Sequence, residues 1–183
     1  MAIDTGLGVY CADLQATGGV SQIILRSWLL ADVVTYGSTG VHTITNIQSG
    51  GDAGWFVYEF KNETPALTIN ATKENGSTAF ECGLSFNVPK MDLAKFNEFQ
   101  NMLDTCMMGM AKDTNGNWWV LGASEKYANE DVDAKSQTFL NLASMEGGTG
   151  AAYSDENGIT VNLMARQFEL PRLYVGTVTV TAL

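Results

Sequence analysis

A mainly β chain with a single helix is the fold class this sequence predicts, and three observations carry it. Threonine, valine and the aromatic residues recur in short alternating runs, the pattern of strands. Nineteen glycines stand against three prolines, which supplies many tight turns. Only one segment shows helical spacing. With 183 residues, 45% of them hydrophobic, the chain reads as one domain over 1–183, with a packed core.

Residues 1–17 read as an N-terminal arm, with Gly6, Gly8 and mixed polarity. Strand character begins at Gly19 and runs through Val20, Ile23, Ile24 and Leu25. Residues 28–40 are ambiguous, although Gly37-Ser38-Thr39-Gly40 marks a turn. Alternation then places Val41, Thr43, Thr45 and Ile47 on one face, and His42, Ile44 and Asn46 on the other. Glycines 50, 51 and 54 frame a loop ahead of Trp55-Phe56-Val57-Tyr58-Glu59-Phe60. That strand is apolar on both faces, so it calls for cover from a second sheet or from a neighbouring subunit. Trp55, Phe56, Tyr58 and Phe60 are therefore the candidate assembly-interface residues.

Ala66 to Thr72 alternates, Asn75-Gly76 is a hairpin turn because both residues tolerate positive φ, and Thr78 to Val88 is the returning strand. The helix is expected from about Leu93 to Met110. Asp92 is its N-cap, and Met91 and Phe96 occupy hydrophobic-staple positions. Its stripe is Leu93, Phe96, Phe99, Leu103, Cys106 and Met110, which should pack on a sheet with Cys106 as a buried thiol. A second hairpin follows, with Asn115-Gly116 in its turn and Trp118-Trp119-Val120-Leu121 as its returning strand. Residues 124–137 are polar and acidic, the signature of an exposed loop. Thr138, Leu140 and Leu142 alternate again. Glycine-rich punctuation at 147–150 and 154–158 leads into the alternation of Ile159, Val161, Leu163 and Ala165. Pro171 breaks that strand, and Val175 to Val180 forms the last. The count is roughly ten strands and one helix.

The chemistry of sites is sparse. His42 is the single histidine, so one chain cannot build a two-histidine metal site. Asp113, Asn115 and Asn117 imitate the start of a calcium loop, but Trp118 stands where glycine is needed and Ser124 where the bidentate glutamate belongs. No phosphate loop occurs. Gly148-Thr149-Gly150 opens like a dinucleotide fingerprint, but Tyr153 occupies the third glycine position. Neither catalytic residue, cofactor nor metal is expected, and the chain is read as not an enzyme. Cys11, Cys82 and Cys106 form no paired motif and no disulfide framework. The formal charge is −10, and the ten bases are scattered, so tight binding to nucleic acid is not expected. DNA sliding past without sticking is compatible with that sign. Met1-Ala2-Ile3-Asp4-Thr5-Gly6 lacks the basic and apolar regions of a signal peptide, and no apolar run reaches ~20 residues. Folding in a cytoplasm with no membrane contact is the expectation. What remains is sheet, edges and surface, the materials of an assembling protein.

Several segments in order resemble the tail-tube family of phage virion structural proteins. They are Gly18-Gly19-Val20 entering a strand, the aromatic strand Trp55–Phe60, and the helix at 92–110 followed by the Asp113–Gly122 hairpin. Gly148-Thr149-Gly150-Ala151 then precedes Ser154-Asp155-Glu156-Asn157-Gly158 and an alternating strand. The resemblance covers about residues 18–170; the acidic stretch 123–137 and the tail after Glu169 depart from it. It implies a two-sheet β-sandwich or partial barrel flanked by one α-helix and forming rings. Six copies would join their sheets into a ring, and rings would stack around a channel for DNA passage. Residues 1–17 and 48–55 are the candidates for the stacking contact. The partners would be further copies and other tail proteins. The place would be the virion tail, assembled in the host cytoplasm. Other readings are a tail terminator, a connector, a baseplate ring, or the tube of a contractile injection system. From another class comes a carbohydrate-binding β-sandwich, for which Trp118-Trp119 offers an exposed aromatic.

Overall fold

A computed structural model describes residues 18–29, 31–38, 41–51, 54–125, 138–152 and 157–181. The proposed N-terminal arm and most of the acidic stretch lie outside them. The fold is mainly β with one helix, and its strands form one mixed sheet that does not close into a barrel.

The strands are β1 (Val20–Ser27), β2 (Val33–Tyr36), β3 (Thr43–Gln48), β4 (Trp55–Tyr58), β5 (Ala66–Glu74) and β6 (Ser77–Pro89). After helix α1 (Leu93–Leu103) come β7 (Met107–Asp113), β8 (Trp118–Leu121), β9 (Leu140–Gly148), β10 (Gly158–Gln167), β11 (Arg172–Tyr174) and β12 (Val180–Thr181). The main path runs β2-β3-β11-β8-β7-β9-β10-β6-β5, with β1, β4 and β12 branching from β7. Most pairs are antiparallel; β3 with β11 and β4 with β12 are parallel.

β7 is the hinge of this architecture. One edge pairs with β1 along its whole length, from Val20↔Asp113 to Ser27↔Met107. The other edge pairs with β8 over Gly109–Lys112 and with β9 at Met107↔Leu140 alone. That single junction lets β9-β10-β6-β5 fold over the β1-β7 region, so one sheet does the work of a sandwich. The first core fills the fold. Ile23, Leu25, Met107 and Leu121 meet Leu84, Phe86, Val161 and Leu163 across it. A second core lies on the opposite face of β1 and β7, where Ile24, Met108 and Met110 meet Ile44, Trp55, Val120 and Tyr174.

The central strands are therefore buried on both faces, and this explains the main departure from the sequence pattern. The helix ends at Leu103, with Asp104 as its C-cap, and Met107 begins a strand. Cys106 and Met110 continue the helical spacing in sequence, but Met107 to Met110 lie in a strand covered on both sides, which needs apolar residues at every position and shows no alternation. Cys106 falls in the short link between them and is exposed, not buried; Cys82 is the buried thiol. Burial pushes the Cys82 thiol up to about 11. Asp92 is the N-cap as expected, its carboxylate accepting from the Lys95 backbone N–H at 3.0 Å. Of the expected stripe, Phe99 is in the first core, joined by Met102, and Met110 is buried in the second core as a residue of β7. Leu93, Phe96 and Leu103 are exposed.

Both Asn-Gly turns connect hairpins. Asn75 and Gly76 have φ of 49° and 82°, the two positive values that a two-residue β5–β6 turn requires. At the β7–β8 turn, Asp113 accepts from the Asn117 backbone N–H and from Trp119 Nε1. The residues that imitate a calcium loop thus serve to close a turn. Alternation in β10 is as expected, with Ile159, Val161, Leu163 and Ala165 all buried. In β3 it fails. Thr45 is an extra residue opposite the Thr35–Tyr36 step, so Ile44 and Ile47 both reach the core. The terminal strand expected at 175–180 is instead the pair β11 and β12, one before that span and one at its end.

Candidate assembly surface

The strand that the sequence singled out is apolar on both faces because it stands between the two cores of its own chain. Trp55 is buried in the second core and Val57 packs against it, while Tyr58 and Phe60 pack against the first. Phe56 is the exception and stays exposed. Tyr58 donates from its hydroxyl to Glu98 on α1, and burial, followed by that carboxylate, pushes its pKa up. Between β4 and α1 lies an open cavity of about 380 Å³ lined by Phe56, Tyr58, Val88, Lys95, Glu98 and Phe99.

Behind Trp55 sits a polar network that sequence reasoning missed. Arg26 and Asp32 form an ion pair at 2.6 Å, with both side chains almost wholly buried. The Asp32 carboxylate also accepts from the backbone N–H groups of Leu29 and Gly50, each at 2.8 Å. The Arg26 guanidinium lies 5.5 Å from the Trp55 ring centre. The network fixes the entry to β2 and the glycine-framed loop before β4. A second tie anchors β11. Arg172 bonds Glu169 at 2.8 Å and also bonds Glu125, and its guanidinium lies 5.1 Å from the Tyr36 ring centre. Burial pushes the Glu169 carboxyl up, but its bonds from Arg172 and from the Glu125 backbone N–H prevail and hold it below the usual carboxylate range. Trp118 and Trp119 are both half-buried. Trp118 packs against the second core and the Trp119 indole is held by Asp113.

A broad feature of the described residues is the layer β9-β10-β6-β5. Its strands alternate in direction, every pair being antiparallel. Its core face carries a row of four leucines, Leu142, Leu163, Leu84 and Leu67, in register from one edge to the other. Its outer face is rich in hydroxyl and amide groups. Asn87 donates to Thr160 Oγ1 at 3.3 Å, and Asn162 to Ser144 Oγ at 2.9 Å. Arg166 on this face is paired with Glu81 at 2.7 Å. Acids Glu74, Glu81 and Glu146 outnumber it there, by the register of the strands.

Both edges of that layer are open among the described residues. β5 pairs with β6 alone and is exposed over nearly its whole length. β9 pairs with β10 on one side and on the other only at Leu140. Unpaired edge groups of this length are templates for another strand. The sequence signal for β5 was present as a strand, but nothing local to 66–74 told that it would be an edge.

Among the described residues no group of three or more histidine, cysteine, aspartate or glutamate side chains could hold a metal ion. No helix there is long and apolar enough to cross a membrane. No protein-family model matches the chain, and no curated protein matches it either.

Proposed function

We propose that this chain is a structural subunit that joins copies of itself edge to edge into a ring, as a phage tail-tube protein does. The observation that carries the reading is the four-stranded layer with two open edges. A head-to-tail contact sets β5 of one copy beside β9 of the next. Because the four strands alternate in direction, rotation to the next copy brings β5 antiparallel to β9, and the alternation continues without a break. Such heterologous contacts close into a ring when the rotation closes, and closure satisfies every edge group. The bulk of each subunit, both cores and α1, lies on one side of the layer. The hydroxyl- and amide-rich face then lines the opening. With three acids against one paired base, that wall lets a polyanion such as DNA pass without holding it. The sequence resemblance in order and spacing agrees with six copies per ring and stacked rings. Residues 1–17 and 48–55 remain the candidates for the stacking contact, and Phe56, exposed next to the second of them, is a further one.

Negative-stain electron microscopy of the purified protein, with light scattering after size exclusion, tests this. Rings or tubes with a central opening are expected. A monodisperse monomer at every concentration, and in its native particle, would overturn the reading.

A further inference from the structure

Helix α1 carries more apolar surface than its own sheet covers. Phe99 and Met102 form its buried base. On one side of that base Ala94, Lys95 and Glu98 line the cavity against β4. At 100° per residue, Phe96 and Leu103 fall on the other side. The strand that α1 packs against is β9. Phe96 is 40% exposed and Leu103 58%. Met145, which the β9–β10 register places on the core face of the sheet, is also exposed. Taken together, the free edge of β9 and the uncovered flank of α1 would make one apolar ledge.

The helix runs antiparallel to β9. At its start the Met91 methyl reaches Gly147, and four residues after its end Met107 pairs with Leu140. Asp104, at the helix C-terminus, therefore lies toward the Leu140 end of the ledge. β5 carries the matching features. Register puts Leu67, Ile69, Ala71 and Lys73 on its core face, and Ile69 is 40% exposed. Ile69 stands level with Leu140 through Cys82 and Ala165. Lys73 lies four residues further in that direction, toward the end where Asp104 sits. It has no ion pair among the described residues.

We propose that the ledge is a socket for β5 of a second copy, which α1 covers like a lid. Ile69 seats against Phe96 and Leu103, and Lys73 meets Asp104 together with the partial negative charge of the helix C-terminus. The inference rests on the ring reading but is separable from it. It assigns the helix as the element that recognises the neighbour, whereas edge pairing alone would leave Phe96 and Leu103 idle.

The test is a charge exchange at two exposed positions, where folding is not at stake. Lys73→Glu and Asp104→Lys are each made alone and then combined, and assembly is followed by sedimentation velocity and microscopy, with circular dichroism to verify the fold. Each single variant should raise the concentration needed for assembly at least tenfold, and the double variant should recover most of that loss. As a second reading, Ile69→Cys protein mixed with Leu103→Cys protein should form a mixed disulfide dimer under mild oxidation, in a background with Cys106→Ser. Rings that form equally in all variants and give no mixed dimer would overturn the socket while sparing the ring. Absence of assembly in the wild-type protein would overturn both.

Discussion

The placement of α1 is decided by comparing Phe99→Ala with Leu103→Ala. The two residues are one helical turn apart, and sequence spacing puts them on the same stripe. In the structure Phe99 is 3% exposed and packs in the first core, whereas Leu103 is 58% exposed. Removing a buried phenylalanine side chain loses its transfer free energy and leaves a cavity, about 3–5 kcal/mol in all. Leu103 has less than half its side chain to lose, and its removal opens no cavity, so about 1 kcal/mol or less is expected. Urea unfolding reads the difference. At a slope of about 2 kcal/mol per molar, Phe99→Ala lowers the midpoint by roughly 2 M and Leu103→Ala by about 0.5 M or less, with the slope unchanged. The comparison belongs in a Lys73→Glu background, so that contacts between subunits do not enter. Equal losses at the two positions would refute this placement of the helix.

Two further predictions concern the buried ties. Asp32→Ala leaves the Arg26 guanidinium buried without its counter-ion and strips two backbone N–H groups of their acceptor. A loss of about 3–5 kcal/mol in denaturant titration is expected; a change within about 1 kcal/mol would show the network to be solvated. For Glu169 the folded pKa lies below the unfolded one, so its stabilising effect is complete above about pH 5 and is lost as pH falls through the folded value. Glu169→Gln should therefore be less stable than wild type at pH 7, with the gap narrowing by pH 3. A gap independent of pH would remove the ion pair as its cause.

The sequence spoke clearly where a strand has one dry face. Ile159 to Ala165 and the two Asn-Gly hairpins could be read residue by residue, because period-two alternation and positive φ are local properties. It was ambiguous where tertiary context covers both faces. Met107, Met108 and Met110 lie between two cores, and their continuous apolar run matched a helix as well as a strand. The same circumstance made Trp55–Phe60 look in need of a partner, when most of its cover comes from its own chain. The bulge at Thr45 and the Arg26–Asp32 pair depend on residues far apart along the chain and leave no periodic trace. The open edges of β5 and β9 were invisible for the same reason: an edge is defined by which strand is missing beside it.

Hydrogen exchange on β5 tests the edge-to-edge ring most directly. In an edge strand every second amide points away from its one partner and exchanges with water. In the dilute subunit the amides of Ala66–Glu74 that point away from β6 should exchange rapidly. In the assembled protein the same alternate amides should slow by about a hundredfold or more, as a β9 strand from the next copy takes up their hydrogen bonds, and the Lys73→Glu variant should show no such change. Assemblies in which these amides exchange as fast as in the dilute subunit would contradict a ring closed through β5 and β9.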